Sequence, residues 1–207
     1  KYYFDNISDI MNGIHILREL SPLIQDLVCS FGERLSVRLV SSMLNNLYFE
    51  KSDFNSKHFD SWDIGLKTYG DFGDSKFMED NIIKLNVDFK IDSILKEKKI
   101  PIITGFICKN EDGKITTLGR GGSDLTATFI GECCNSYEIQ VWKDVDGLMT
   151  ADPKYVENAK PISKLSYEQA SELAYFGAKI LHPISMIPAT RSKIPVRIKN
   201  SYNRSCL

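Results

Sequence analysis

The chain has 207 residues, 43% of them hydrophobic, which is enough apolar material for one well-buried α/β domain. Lysine plus arginine (26) nearly cancels aspartate plus glutamate (27), so no bulk charge draws nucleic acid or an anionic membrane surface to it. No apolar run approaches the roughly 20 residues of a bilayer-spanning helix, and the five cysteines, with Cys133 and Cys134 adjacent and no CxxC spacing, read as free thiols in a reducing compartment.

In chain order, Ile10, Ile14, Leu17 and Leu20 recur at helical spacing over residues 10–20. Ser21-Pro22 then restarts the helix: serine is a good N-cap, and proline at the first position loses only an amide hydrogen that lacks a partner anyway. A second helix is predicted to run to about residue 29. After a break at Ser30-Phe31-Gly32-Glu33, a third should cover about 32–47, with Glu33 in its first turn.

Residues 51–77 show no clean period and are predicted irregular, with at most one short strand. Residues 92–99 read as a short helix and 100–108 as a buried strand. Asn110 to Gly113 supplies a hairpin turn, and 115–118 a short return strand. A helix over 125–134, capped by Ser123 or Asp124, leads to a strand over 138–145. Ser166 and Gln169 form a capping box that opens a helix to about residue 181, Pro183 begins a further short one, and 194–199 closes the pattern as a strand. Strands alternating with helices predict a mostly parallel sheet covered on both faces.

The segment richest in chemistry is Thr116-Thr117-Leu118-Gly119-Arg120-Gly121-Gly122-Ser123-Asp124, a glycine loop between a strand and a helix. Such a junction offers free backbone amides to an anion. It matches neither GxxxxGK[ST] nor GxGxxG. Its flanking arginine and aspartate suit a polar ligand gripped by side chains as well as amides; equally, Arg120 and Asp124 could simply pair with each other across a tight turn.

This loop, with four other segments, resembles the aspartate kinases of the amino-acid kinase superfamily. The others are Ser30-Phe31-Gly32-Glu33-Arg34-Leu35-Ser36, Ile103-Thr104-Gly105-Phe106, Val141-Trp142-Lys143-Asp144-Val145-Asp146-Gly147 with Asp152-Pro153, and Phe176-Gly177-Ala178-Lys179 with Leu181-His182-Pro183. The wording is similar to the plant-type enzymes, and the resemblance spans essentially the whole chain. It implies a three-layer αβα sandwich with a mostly parallel central sheet, an aspartate-binding part over about 1–135 and a nucleotide-binding part over about 136–207. It also implies transfer of the γ-phosphoryl group of ATP to the side-chain carboxylate of L-aspartate, the first step of lysine, threonine and methionine biosynthesis. The implied partners are aspartate and ATP with Mg²⁺ arriving on the nucleotide, in a homodimer of cytoplasm or plastid, with neither nucleic acid nor membrane.

Residue by residue, the resemblance gives Arg120 the α-carboxylate of the substrate, Glu33 its ammonium, and Phe106 and Ser123 places in the acceptor pocket. Gly119, Gly121 and Gly122 form the phosphate loop, and Asp124 orients lysines around the transferring group. Lys143, Asp144, Met149, Lys154 and Lys179 face the nucleotide, although Met149 stands where many bacterial relatives carry tyrosine and Lys154 where they carry arginine. His182 reads as structural, and no His, Cys and carboxylate spacing suggests a metal held by the protein. The family's leading KFGGTS-type lysine strand and its ACT regulatory domains have no counterpart in these residues, so the isolated chain is expected to be inactive. Two other readings stay open: a non-catalytic aspartate or nucleotide sensor, and an amino-acid kinase with another carboxylate acceptor.

Overall fold

The structure is a computed structural model that describes residues 2–50, 52–145, 147, 149–151, 156–175 and 181–203. It divides into two compact units, residues 1–123 and 124–207.

The first unit opens with α1 (Tyr2–Leu17) and α2 (Pro22–Leu47). Ser21 caps α2 as its position predicts, its hydroxyl accepting from the Ile24 amide at 3.4 Å with Pro22 next in line. The predicted break at Ser30 to Glu33 does not occur. α2 is one helix of 26 residues, and nothing around Gly32 requires a glycine, since a methyl there would meet nothing within 4 Å. The glycine costs only its propensity, about 1 kcal/mol, and the packing of a long helix outweighs that. Glu33 therefore lies in mid-helix, on the inward stripe of Asp26, Ser30, Val37 and Ser41, whose three- and four-residue spacing marks one helical face.

The stretch predicted irregular contains β1 (Asn55–Phe59), a 3-10 turn at Ser61–Ile64, β2 (Thr68–Tyr69) and β3 (Lys76–Phe77). α3 (Asn81–Lys96) starts well before the predicted residue 92, its N-cap Asp80 accepting from the Ile82 amide at 2.7 Å. β4 (Lys99–Ile103) pairs parallel with β1, Asn55 opposite Lys99. The predicted buried strand over 100–108 stops at Ile103, and no residue of β4 is fully buried. After a bend at Thr104 to Phe106 the chain resumes as β5 (Ile107–Lys109), hairpinned to β6 (Ile115–Thr117) through the Asn110 turn. α2 and α3 pack against β4, and α2 also covers β6. Phe31, Ile64, Leu66, Val87 and Ile107 fill the core between them.

The second unit holds most of α4 (Gly122–Cys133), then β7 (Ile139–Lys143), α5 (Tyr167–Tyr175), a 3-10 turn at Pro183–Met186, α6 (Ile187–Ser192) and β8 (Val196–Asn200). β7 and β8 run parallel, Ile139 opposite Val196. The capping box forms as read: the Gln169 amide donates to Ser166 Oγ at 3.2 Å, and the Ser166 amide donates to Gln169 Oε1 at 2.9 Å. Ile139, Val141, Met186, Ala189 and Ile194 make the core.

α4 lies close on β7 because residue 131 is glycine. A methyl there would fall 2.6 Å from Ile139 Cδ1, in a side chain that is 6% exposed and has little room to move. Gly131→Ala is expected to destabilise by about 1–3 kcal/mol despite alanine's better helix propensity, read as a lowered urea midpoint. A raised midpoint would show that Ile139 repacks freely.

Candidate functional site

In the first unit the glycine loop is built by close backbone contact. Gly119 has a φ of +67°, and a side chain there would meet Asp74 Oδ1 at 2.7 Å and the Gly73 carbonyl oxygen at 3.1 Å. Gly122 faces Phe106, whose Cδ2 would lie 2.8 Å from an added methyl, and Gly105 faces Ser123, whose Cα would lie 3.2 Å from one. Glycines 105, 119 and 122 thus let the Thr104-Gly105-Phe106 bend and the loop touch each other.

Phe106 itself has a φ of +65°, and the Ile107 amide donates to the Gly105 carbonyl across it at 2.7 Å. This is a γ-turn of the rarer hand, a strained conformation for an aromatic residue. The Leu118 amide donates to the Phe106 carbonyl at 2.9 Å and helps to hold the turn in place.

Sequence reasoning missed the residue that anchors this loop. Asp26, on α2 and 2% exposed, accepts from the Gly73 amide at 2.9 Å, the Thr117 amide at 2.9 Å and the Thr117 hydroxyl at 2.8 Å. One carboxylate so fixes both the turn that Gly119 rests on and the strand end that feeds the loop. An acid inside the apolar run Leu23 to Val28 was the available signal. A second missed group is Asp60, where Arg34 Nε (3.2 Å) and Arg38 Nη1 (3.1 Å) converge on a carboxylate only 5% exposed.

Glu33 sits two helical turns beyond Asp26 on the same stripe. Its carboxyl is half-buried, and burial raises its pKa above the ordinary value. Among the described residues no cation pairs with it. Arg120 is exposed and likewise has no ion-pair partner among them. Ser123 is exposed at the second position of α4.

In the second unit Asp124 lies in the first turn of α4, inside the helix rather than at its cap. It accepts from Lys143 Nζ at 3.0 Å. Lys143 is the last residue of β7, and Asp144 after it is exposed. Met149 pairs through its backbone with Pro161, and the Thr150 amide donates to the Lys160 carbonyl at 2.9 Å. A cavity of about 890 Å³ opens nearby, lined by Gly147, Pro161, Tyr167 and Arg197 among others, but not by Lys143, Asp144 or Met149. Lys154 and Lys179 lie outside the described residues.

Cys29 and Cys108 carry free thiols, and burial pushes the Cys108 thiol up to about 11. Among the described residues no cluster of His, Cys, Asp and Glu is arranged to hold a metal, and no helix is long and apolar enough to cross a membrane.

Comparison with known proteins agrees with this architecture. Residues 6–200 match the model of the amino acid kinase family. The chain is 42% identical over 202 residues to Aspartokinase 1, chloroplastic, of Arabidopsis thaliana, covering 97% of this chain and 34% of that protein. It is 34% identical over 197 residues to the aspartokinase of Saccharomyces cerevisiae, covering 95% of this chain and 37% of that one. Among solved structures, E. coli aspartokinase III in complex with aspartate and ADP superposes with a TM-score of 0.83 at 31% identity, covering 99% of this chain and 44% of that one. The chain spans about a third of the length of the curated relatives it matches. The predicted αβα architecture is thus the fold of these kinases, and the chain belongs to the amino acid kinase family.

Proposed function

We propose that the protein carrying this chain is an aspartate kinase, moving the γ-phosphoryl group of Mg²⁺-bound ATP onto the side-chain carboxylate of L-aspartate. One observation carries the reading: the first unit holds a half-buried carboxylate, Glu33, and an exposed guanidinium, Arg120, neither with an ion-pair partner among the described residues. An α-amino acid presents the complementary pair, an ammonium for Glu33 and a carboxylate for the planar fork of Arg120. The names of the relatives support aspartate as that amino acid.

The acceptor needs no general base, because an aspartate side chain with a pKa of ~4 is ionised at neutral pH. What the protein must supply is positioning and positive charge, since two anions have to meet in line. Phe106, fixed by its γ-turn and packed on Gly122, shapes the acceptor side. The amides around Gly119, Gly121 and Gly122 offer donors to phosphate oxygens. Asp144, Met149, Lys154 and Lys179 take the nucleotide in this reading, which the resemblance alone supports. A homodimer belongs to it on the same ground, and a plastid or cytoplasmic compartment is supported by relatives named chloroplastic.

Glu33 provides the test. Because burial raises its pKa, the folded protein binds this proton more tightly than the unfolded chain. Its contribution therefore costs stability as pH rises through the interval between the ordinary carboxylate value and the raised one, and is level on either side. Glu33→Gln should flatten that slope in urea midpoints taken from about pH 4 to about pH 7. An ammonium bound beside Glu33 favours the charged form, so L-aspartate binding within the interval should release a proton. Calorimetric titration in two buffers of different ionisation enthalpy reads that release. Aspartate binding with no proton release in wild type would remove Glu33 from the ammonium site.

A further inference from the structure

We propose that Ser61 is a positioning residue for the amino-acid acceptor, a strut that holds the strained Phe106 turn in register with Glu33; the proposal rests on the aspartate kinase reading and adds to it a group to which the resemblance gives no role. Ser61 meets the turn on both sides. Its amide donates to Thr104 Oγ1 at 2.9 Å, before the bend, and its hydroxyl donates to the Ile107 carbonyl at 2.6 Å, after it. Ile107 therefore bonds away from β6 through both of its backbone groups, the amide to Gly105 inside the γ-turn and the carbonyl to Ser61. A strained conformation such as that of Phe106 persists only where its surroundings over-determine it. Ser61 supplies two of those constraints, and the Leu118 amide on the Phe106 carbonyl supplies a third.

Three features separate this strut from ordinary core packing. First, Ser61 and Thr104 are both 0% exposed, in a core that also holds Ile64 and Ile107. Apolar side chains would fill such space as well, whereas a satisfied pair of buried hydroxyls selects one geometry. Second, Asp60 and Ser61 follow the carboxyl end of β1, and the Thr104 to Phe106 bend follows that of β4, its parallel neighbour, with Phe59 opposite Ile103. Open parallel sheets take ligands at that end. Third, Asp60, next to Ser61, is engaged by Arg34 and Arg38 of α2, while Asp26 of the same helix holds Gly73 and Thr117. Glu33 lies between these two anchors. α2 is thereby tied to the Phe106 bend at one point and to the glycine loop at another, which fixes the ammonium site against both walls of the acceptor pocket.

The effect is purely positional. The acceptor carboxylate must point in line at the γ-phosphorus, and its direction depends on the ammonium held at Glu33 and the wall set by Phe106. No bond forms or breaks at Ser61, and no proton moves there.

The test uses the protein from its full reading frame, at a temperature where each variant is fully folded. Ser61→Ala removes the hydroxyl donor, and Thr104→Val removes the acceptor at nearly the same shape. Each is expected to lower kcat/KM for aspartate about 10–10²-fold, the scale of a displacement of about 1 Å. The loss should fall mainly on KM for aspartate, with KM for ATP within about twofold. Thr104→Ser keeps the hydroxyl and should stay within about threefold of wild type. A second readout needs no turnover. With fluorophenylalanine incorporated, the Phe106 resonance, assigned by its loss in Phe106→Leu, should shift or broaden in Ser61→Ala and Thr104→Val but not in Thr104→Ser. The resonance of Phe129 in the second unit should stay in place.

Equal rises in the two KM values, or a KM for aspartate within about twofold of wild type, would make Ser61 structural and overturn the proposal. So would an unmoved Phe106 resonance, or a Thr104→Ser loss as large as that of Thr104→Val. If the wild-type protein makes no ADP in response to aspartate, the functional reading falls, while the resonance still decides whether Ser61 holds the turn. Should Ser61→Ala fail to fold, Thr104→Val against Thr104→Ser carries the same comparison.

Discussion

Replacing Arg120 with alanine is expected to lower kcat/KM for aspartate by roughly 10²–10³-fold with no change in melting temperature. The magnitude follows from two charge-assisted hydrogen bonds at about 1.5–3 kcal/mol each, less the part that water restores at an exposed site. The unchanged stability follows from the residue's surroundings: Arg120 is exposed and has no ion-pair partner among the described residues, so removing it strands nothing. Arg120→Lys should recover little, because a single ammonium cannot reproduce the planar fork. Steady-state kinetics with aspartate varied, beside a thermal melt, checks both halves. A variant that keeps its aspartate dependence would move the α-carboxylate to another residue. One that loses activity only because it melts early would make Arg120 structural.

The second large effect belongs to a residue that touches no substrate in this account. Asp26→Ala is expected to destabilise by about 3–5 kcal/mol, since it leaves the Gly73 amide, the Thr117 amide and the Thr117 hydroxyl without their acceptor, two of these bonds being buried. For a chain of this size that corresponds to a melting temperature lower by roughly 6–20 °C. Asp26→Asn preserves shape and one acceptor oxygen but sets an amide where an acceptor is needed, and should fall between wild type and alanine. At a temperature where Asp26→Asn is fully folded, its KM for aspartate should still rise, because the turn beneath Gly119 and the strand end before the loop lose a shared anchor. A melt within about 2 °C of wild type for Asp26→Ala would mean that water replaces the carboxylate.

How much of this was legible in the sequence depended on the range of the interaction. The Ser21-Pro22 start, the Ser166 and Gln169 capping box and the Asn110 hairpin are local, each determined by side chains within three or four residues, and the sequence reading of each matches the structure. α2 was misread because Gly32 looks like a break on propensity alone. Packing of the buried face on both sides of it, Ser30 and Phe31 before and Val37 and Ser41 after, carries the helix through. The strand expected over 100–108 failed for the opposite reason. Its apolar run is continuous in composition, but Gly105 is pressed against Ser123 and Phe106 is driven to a φ of +65°, contacts made by a loop more than a dozen residues away.

The site divides in the same way. Arg120, Glu33 and the loop glycines stood out by residue type and family wording. Asp26 meets Thr117 across 91 residues, and Arg34 meets Asp60 across 26, separations at which a single sequence carries no pairing signal. Asp124 shows both sides: the sequence marks it as important, whereas its partner, Lys143, 19 residues on, emerges only when the end of β7 and the start of α4 are seen together.

The central claim is the acceptor. The most direct measurement incubates the protein, expressed from its full reading frame, with Mg²⁺-ATP, L-aspartate and hydroxylamine, which traps an acyl phosphate as its hydroxamate. Aspartyl hydroxamate is expected to accumulate in step with ADP, and to vanish when glutamate or acetylglutamate replaces aspartate. Equal turnover with those acceptors, or aspartate binding with neither ADP nor hydroxamate formed, would contradict the account.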